Sequence, residues 1–198
     1  CLVGSEMCIR DRSYFMGLSS NILWHQTTLD GLKGILNEQG FFYSYSLESI
    51  LSRESKNNLN VAFPMVSLCD LPFSELNDYI KKYGGYLIGM KRTWGKSNGL
   101  APVWYCDSES TILNAIIDRY NQIEVNIKNG KNFTISREIF LYTLSHIKNY
   151  EGQLIAHDFN KYRFYDEREF RSVPRYKELK KLHPTIPVSY THLTLPTT

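Results

Sequence analysis

Cysteine is scarce in this chain, with four among 198 residues, and no two of them form a CxxC pair. That excludes a disulfide scaffold and supplies no zinc-ligand spacing. Glycine (12) and proline (7) are too few for a collagenous or low-complexity chain. No apolar run approaches the ~20 residues that a membrane-crossing helix needs. An excess of one charge is also missing: 23 Lys and Arg stand against 20 Asp and Glu, a net +3. Without a basic patch, nucleic acid is not indicated as a partner. What is present is a 42% hydrophobic, 14% aromatic composition, enough for a single globular domain with a real core.

The two ends read as foreign to that domain. Met7-Cys8-Ile9-Arg10-Asp11 can be encoded ATG TGT ATA AGA GAC, whose reverse complement, GTC TCT TAT ACA CAT, encodes Val188-Ser189-Tyr190-Thr191-His192. An inverted repeat of codons at opposite ends of a chain is not a folding feature. It resembles a transposon mosaic end used as a sequencing adapter and translated in frame, as expected of a metagenomic fragment. Residues 1–12 and 188–198 are therefore expected to be adapter, and 13–187 the domain, with Met16 as the expected native start and the native C-terminus missing. The ends carry Arg10, Arg12, Glu6 and Asp11, so the balance without them is still +3. Only Cys69 and Cys106 remain, which fits a reducing, cytoplasmic compartment.

Along the domain, Ile22-Leu23-Trp24 reads as a strand ending at His25-Gln26-Thr27-Thr28. Thr28 or Asp30 can cap a helix over Leu29–Glu38, with Gly40 just past its end. Phe41–Tyr45 reads as extended, Leu47–Arg53 as a short helix, and Glu54–Asn60 as a polar loop. Val61–Leu68 is β-rich but holds Pro64, so it is an edge strand or starts after that proline. Ser74–Lys82 is helical, Tyr86–Met90 a buried strand followed by a turn of helix, and Val103–Cys106 another strand. The clearest helix is Ser108–Asn126, where Ile112, Ala115, Ile116, Arg119 and Ile123 repeat at helical spacing. A second helix spans about Ser136–Asn149, and Tyr162–Tyr165 and Phe170–Val173 read as strands. The expected core is Ile22, Leu32, Ile35, Leu36, Val66, Leu68, Leu87, Ile88, Val103, Ile112, Ile116, Phe140 and Leu144. Short strands, then long helices, then strands give an α+β fold, a small mixed sheet flanked by helices.

Several polar residues are candidates for chemistry, each with a structural alternative. His25 at a strand end can bond a sugar hydroxyl or phosphate, or simply the nearby backbone. Glu167 and Glu169 on one strand face can share a proton and do acid/base work, or form a solvated face partnered by Arg168 and Arg171. Asp70 can cap the helix after Leu71-Pro72. Cys69 reads as a small buried residue rather than a nucleophile. Tyr83-Gly84-Gly85-Tyr86-Leu87-Ile88-Gly89 lacks a GxGxxG or GK[ST] fingerprint. Lys177–Lys181 reads as a solvated basic face.

Together these segments resemble the AbiGi family, abortive phage-resistance proteins described as antitoxins. The resemblance lies in Trp24-His25-Gln26-Thr27 with Leu32–Leu36, in Pro64–Pro72, and in Tyr83-Gly84 with Tyr86–Gly89. It continues through Lys91–Gly95, Pro102–Tyr105 and Tyr165–Arg171, and departs where Gln26 and Phe170 stand. It implies a component of an abortive-infection system, an antitoxin or regulatory partner acting with a cognate protein encoded by a neighbouring defence gene, without a membrane. A looser resemblance, to ADP-ribosyltransferase-like folds, implies the alternative of an NAD-consuming enzyme. There His25 would anchor the ribose, Glu169 would act as catalytic acid with Glu167 assisting, Tyr83 or Tyr86 would stack on the nicotinamide, and Thr27 would be a further cofactor-binding residue. No metal is implied. The enzyme reading requires His25 and Glu169 in one concave pocket.

Overall fold

The computed structural model describes residues 21–52, 59–83, 85–131, 134–154, 159–174, 185–187 and 193–194. Its strands are β1 Ile22–Thr27, β2 Gly40–Phe42, β3 Ser44–Ile50, β4 Leu59–Cys69, β5 Tyr86–Lys91, β6 Ala101–Pro102 and β7 Trp104–Cys106. They continue with β8 Ile147–Asn149, β9 Gly152–Leu154, β10 Phe159–Tyr162, β11 Glu169–Ser172, β12 Thr185–Pro187 and β13 Leu193–Thr194. The helices are α1 Leu29–Glu38, α2 Leu76–Tyr83, α3 Arg92–Ser97, α4 Thr111–Lys128 and α5 Thr134–Ser145. The architecture is α+β, as expected. The main sheet has the order β13-β5-β1-β4-β11-β6, with β3 also on β4, and every pair in it is antiparallel. The parallel component is the separate β7–β8 pair.

Directly opposed residues of antiparallel strands share a face and successive residues alternate, so the register sorts the side chains. Trp24 is paired with Cys69, and Cys69 with Glu169. These define the front face. α2 covers one half of it, packing Leu76 against Trp24, Cys69 and Leu71. α4 and α5 cover the other half, burying Leu113, Ile117 and Leu144 against Ile50, Phe63 and Met65. On the back face Leu23, Val66, Leu68, Ile88 and Met90 pack on Ile35 of α1 and Trp94 of α3.

Local sequence accounts for much of this. The Thr28 side chain caps α1 by accepting from the Gly31 amide, and Gln39, in the left-handed region at φ 50°, ends the helix. Ser110 caps α4 in the same way by accepting from Leu113. Pro64 lies inside β4 rather than before it. β11 pairs with β4 only as far as Val66, so on that side the proline's missing N–H costs no ladder bond.

Four expectations are corrected. The helix expected over Leu47–Arg53 is not formed by Leu47–Ile50, and Arg53 lies outside the described residues: Ser44–Ile50 is a strand in continuous register with Leu59–Met65, and that hairpin pairing outweighs local preference. The second long helix stops at Ser145, because Ile147–Asn149 leaves to pair with β7. In α4 the buried stripe is Leu113, Ile117 and Ile123, with Ile116 packed beside it, while Ile112 is 63% exposed. Adjacent apolar pairs, Ile112-Leu113 and Ile116-Ile117, make two helical phases equally apolar, and tertiary packing chooses between them. Tyr162–Tyr165 is not one strand: β10 ends at Tyr162, and Phe164–Glu167 is a 3-10 turn closed by Arg168 at φ 45°.

Of the expected core, Ile35, Val66, Leu68, Ile88, Val103 and Leu144 are buried, and Ile22, Leu32, Leu87, Ile116 and Phe140 pack against the clusters half-buried. Leu193 and Thr194, within the segment read as adapter, pair with Met90 and Gly89 at the open edge of β5. An unpaired edge presents backbone groups that any extended segment can meet, so this pairing asks nothing of side-chain sequence.

Candidate functional site

Glu167 and Glu169 are brought together, though not by strand alternation. Glu167 ends the 3-10 turn, Arg168 reverses the chain, and Glu169 opens β11. Lys148 of β8 bridges them, its Nζ donating to Glu167 Oε2 and to Glu169 Oε2, each at 3.0 Å. Arg171, fully buried, holds the other side of Glu169 bidentately, Nε to Oε1 at 2.7 Å and Nη2 to Oε2 at 2.9 Å. The same guanidinium donates to Glu48 Oε1 at 2.7 Å and to the Ser145 carbonyl at the end of α5 at 2.8 Å. The Tyr105 hydroxyl accepts from the Glu169 amide at 2.8 Å, and Lys148 Nζ stands 4.9 Å from the centre of the Phe164 ring. Three carboxylates and two cations thus interlock between the front of the sheet, the end of α5 and β8.

The electrostatics follow from this packing. Burial alone raises the Glu169 carboxyl, but Lys148 and Arg171, with hydrogen bonds from Arg171 and Ser67, outweigh it and hold the group well below the usual range. Lys148 and Arg171 are likewise pushed above their usual values: burial opposes their charge, and the surrounding carboxylates overcome it. Glu48 goes the other way, because desolvation raises it more than Arg171 and Lys148 lower it. Glu169 is therefore held as a bidentately paired anion. A general acid or base works best with a pKa near the operating pH, which this pairing prevents for Glu169. Nor is Glu169 deeper than Glu167, since the two side chains are 8% and 6% exposed.

His25 lies elsewhere. It neighbours Trp24 on β1 and pairs with Ile88 of β5, which places it on the back face. Its Nδ1 donates to the Ser67 carbonyl at 2.9 Å, and its ring meets Phe41 edge-on with centroids 4.8 Å apart. Burial lowers its pKa, with the Ser67 bond opposing in part. Thr27 pairs with Tyr86, so both share the back face with His25, and Tyr86 is 41% exposed. The side chain of Tyr83 and the Lys177–Lys181 run lie outside the described residues. The residues expected to hold NAD are thus divided by the sheet: His25, Thr27 and Tyr86 behind it, Glu167 and Glu169 in front. This geometry does not assemble them into the single pocket that the enzyme reading requires.

Two other candidates resolve structurally. Asp70 does not cap the following turn, whose N-cap is Pro72. It is buried and pairs with Arg92 at 2.8 Å. Cys69 is buried with its thiol pushed far up by desolvation, so it is not a ready nucleophile. Among the described residues no group of three His, Cys, Asp or Glu side chains could hold a metal ion. No described helix is long and apolar enough to cross a membrane. The sequence reading missed Lys148 and Glu48, because both fell in segments read as helix. The alternation Ser44-x-Ser46-x-Glu48-x-Ile50 was the available signal.

No protein of curated function and no solved structure matches the chain. One family model does, described as "Putative abortive phage resistance protein AbiGi, antitoxin". It matches residues 39–191, beginning after β1 and α1 and running past the boundary at 187 drawn from the adapter reading. The match covers well over half of the 198 residues and includes the Pro64–Pro72 and Tyr165–Arg171 segments. The chain belongs to the AbiGi family of abortive phage-resistance proteins, described as antitoxins.

Proposed function

We propose that the protein is the antitoxin, or regulatory partner, of a cognate protein encoded by a neighbouring defence gene, acting in the bacterial cytoplasm by binding rather than by turnover. Family membership supports the role, and one observation carries the mode. On the back face of the β3–β4 hairpin, Tyr45 is 74% and Leu47 69% exposed. Their cross-strand partners are Pro64 and Ala62, so the four side chains form one apolar surface on that face. Large apolar side chains left clustered in water mark a protein contact. β3 has no strand on its other side among the described residues, which leaves its edge open to the same partner. The closed ion network supports the reading from the other direction, because it spends its carboxylates on structure.

The test is growth rescue. Cells expressing the neighbouring gene's product should grow when the parent chain is co-expressed. They should not grow with a folded Tyr45→Ser/Leu47→Ser variant. Equal protection by both chains would exclude the hairpin face as the binding surface.

A further inference from the structure

β11 runs antiparallel to β4 from the Glu169–Cys69 pair to the Ser172–Val66 pair and then stops. Continued in register, it would set Pro174 opposite Pro64, two residues with no N–H to donate, so the ladder ends there. A cleft of about 160 Å³ remains, lined by residues 61–64 of β4, by Val173 and Pro174, and by Glu138, Leu141 and Tyr142 of α5. The Tyr142 hydroxyl already donates to the Pro174 carbonyl at 3.1 Å. The Glu138 carboxylate, half-buried, makes no hydrogen bond or ion pair among the described residues.

Size and polarity together select the occupant. Small-molecule sites span ~300–1,000 Å³ and orient their ligands with a few placed polar groups. This cleft has about half that lower volume, and its side chains offer no unspent donor. An apolar cavity of ~150 Å³ accepts benzene, so the cleft matches one phenylalanine or leucine side chain. A partner protein delivers such a group, and interfaces concentrate their energy in apolar anchors seated in pockets. The Glu138 carboxylate complements a Lys or Arg beside that anchor. Ala62 and Pro64 line the cleft and also pair across the hairpin with the exposed Leu47 and Tyr45, so cleft and hairpin face are continuous.

Given the binding role proposed above, we propose that this cleft is the anchor socket of the same interface. The cognate protein inserts one phenylalanine- or leucine-sized side chain into it and pairs a neighbouring Lys or Arg with Glu138.

The test is calorimetric titration of the purified neighbouring-gene product into the full chain and three variants, each checked by thermal melting. Glu138→Phe breaks no bond among the described residues and puts a ring where the partner's side chain would sit. It should melt like the parent and bind at least about tenfold more weakly. Glu138→Lys should weaken binding at least about fivefold by like-charge repulsion, and it decides if Glu138→Phe fails to fold. Tyr45→Ser/Leu47→Ser reports separately on the hairpin face, and it should lose binding too. Parent-like affinity in folded Glu138→Phe would overturn the socket, while a loss in the hairpin variant in the same titration would leave the hairpin face standing. Loss in Glu138→Phe with parent-like affinity in the hairpin variant would keep the socket and remove the hairpin face. No complex with the parent would overturn both.

Discussion

His25 and Glu169 both bond to Ser67, yet they stand on opposite faces of the sheet. The imidazole donates to the Ser67 carbonyl from behind, while the Ser67 hydroxyl supports the Glu169 carboxylate in front. One residue of β4 thus bonds to a side chain on each face of the sheet. The separation follows from the pairings Trp24–Cys69 and Cys69–Glu169, and no side-chain rotation can undo it.

Arg171 is the keystone of the sealed cluster. Arg171→Met would take the bidentate donor from Glu169, leaving it Lys148, and remove the Arg171 bonds to Glu48 and the Ser145 carbonyl. Breaking a buried pair from one side costs ~3–5 kcal/mol. Urea denaturation should show a loss of that size. The Glu169→Met/Arg171→Met double variant should lose less than the sum of the two single changes, because it removes both charges.

His25 should make stability depend on pH near neutrality. Its folded pKa lies below the ordinary 6.5, so below that pH the unfolded chain binds the proton more readily than the folded one. Its contribution is therefore complete above about 6.5 and is lost as pH falls through the folded value. The denaturation midpoint of the parent should drop between pH 7 and pH 5. His25→Gln, which can still donate to the Ser67 carbonyl, should show a smaller drop. An equal drop in both would assign the effect to other groups.

The phase of α4 is directly measurable. Ile117 is buried and Ile112 is 63% exposed. Ile117→Ala should cost ~2–5 kcal/mol, whereas Ile112→Ala should stay within about 0.5 kcal/mol. A reversed order would mean that the helix presents its other apolar stripe to the sheet.

The terminal segments should be dispensable. Removing residues 1–12 and 188–198 should change stability by no more than about 1 kcal/mol, since termini without evolved buried contacts contribute little. The short β13–β5 pairing is the contact at stake. A larger loss on thermal denaturation would place the domain boundary beyond 187.

What the sequence made legible was local. α1 was readable to the residue, because Thr28 caps it and the apolar spacing is unambiguous. The strands holding Trp24, Val66 and Ile88 were readable from β-rich apolar runs. What stayed hidden depended on partners distant in sequence. Leu47–Ile50 becomes a strand because Leu59–Ala62 lies beside it. Lys148 becomes a strand residue because β7 pairs with it. The pairing of Glu167 with Glu169 was anticipated, but the reason was not. Their proximity comes from Lys148, 19 and 21 residues away, rather than from alternation along one strand. The separation of His25 from Glu169 could not be read at all, because it depends on the register of three strands.

The proposed function requires this chain to bind a cognate protein through the hairpin face. The most direct measurement is calorimetric titration of the purified neighbouring-gene product into the parent and into Tyr45→Ser/Leu47→Ser. Both side chains are exposed, so the two chains should melt alike. A stoichiometric complex is expected with the parent and an affinity at least about 30-fold weaker with the variant, the loss of one interface hot spot. Equal affinity for both chains, or no complex with the parent, would contradict it.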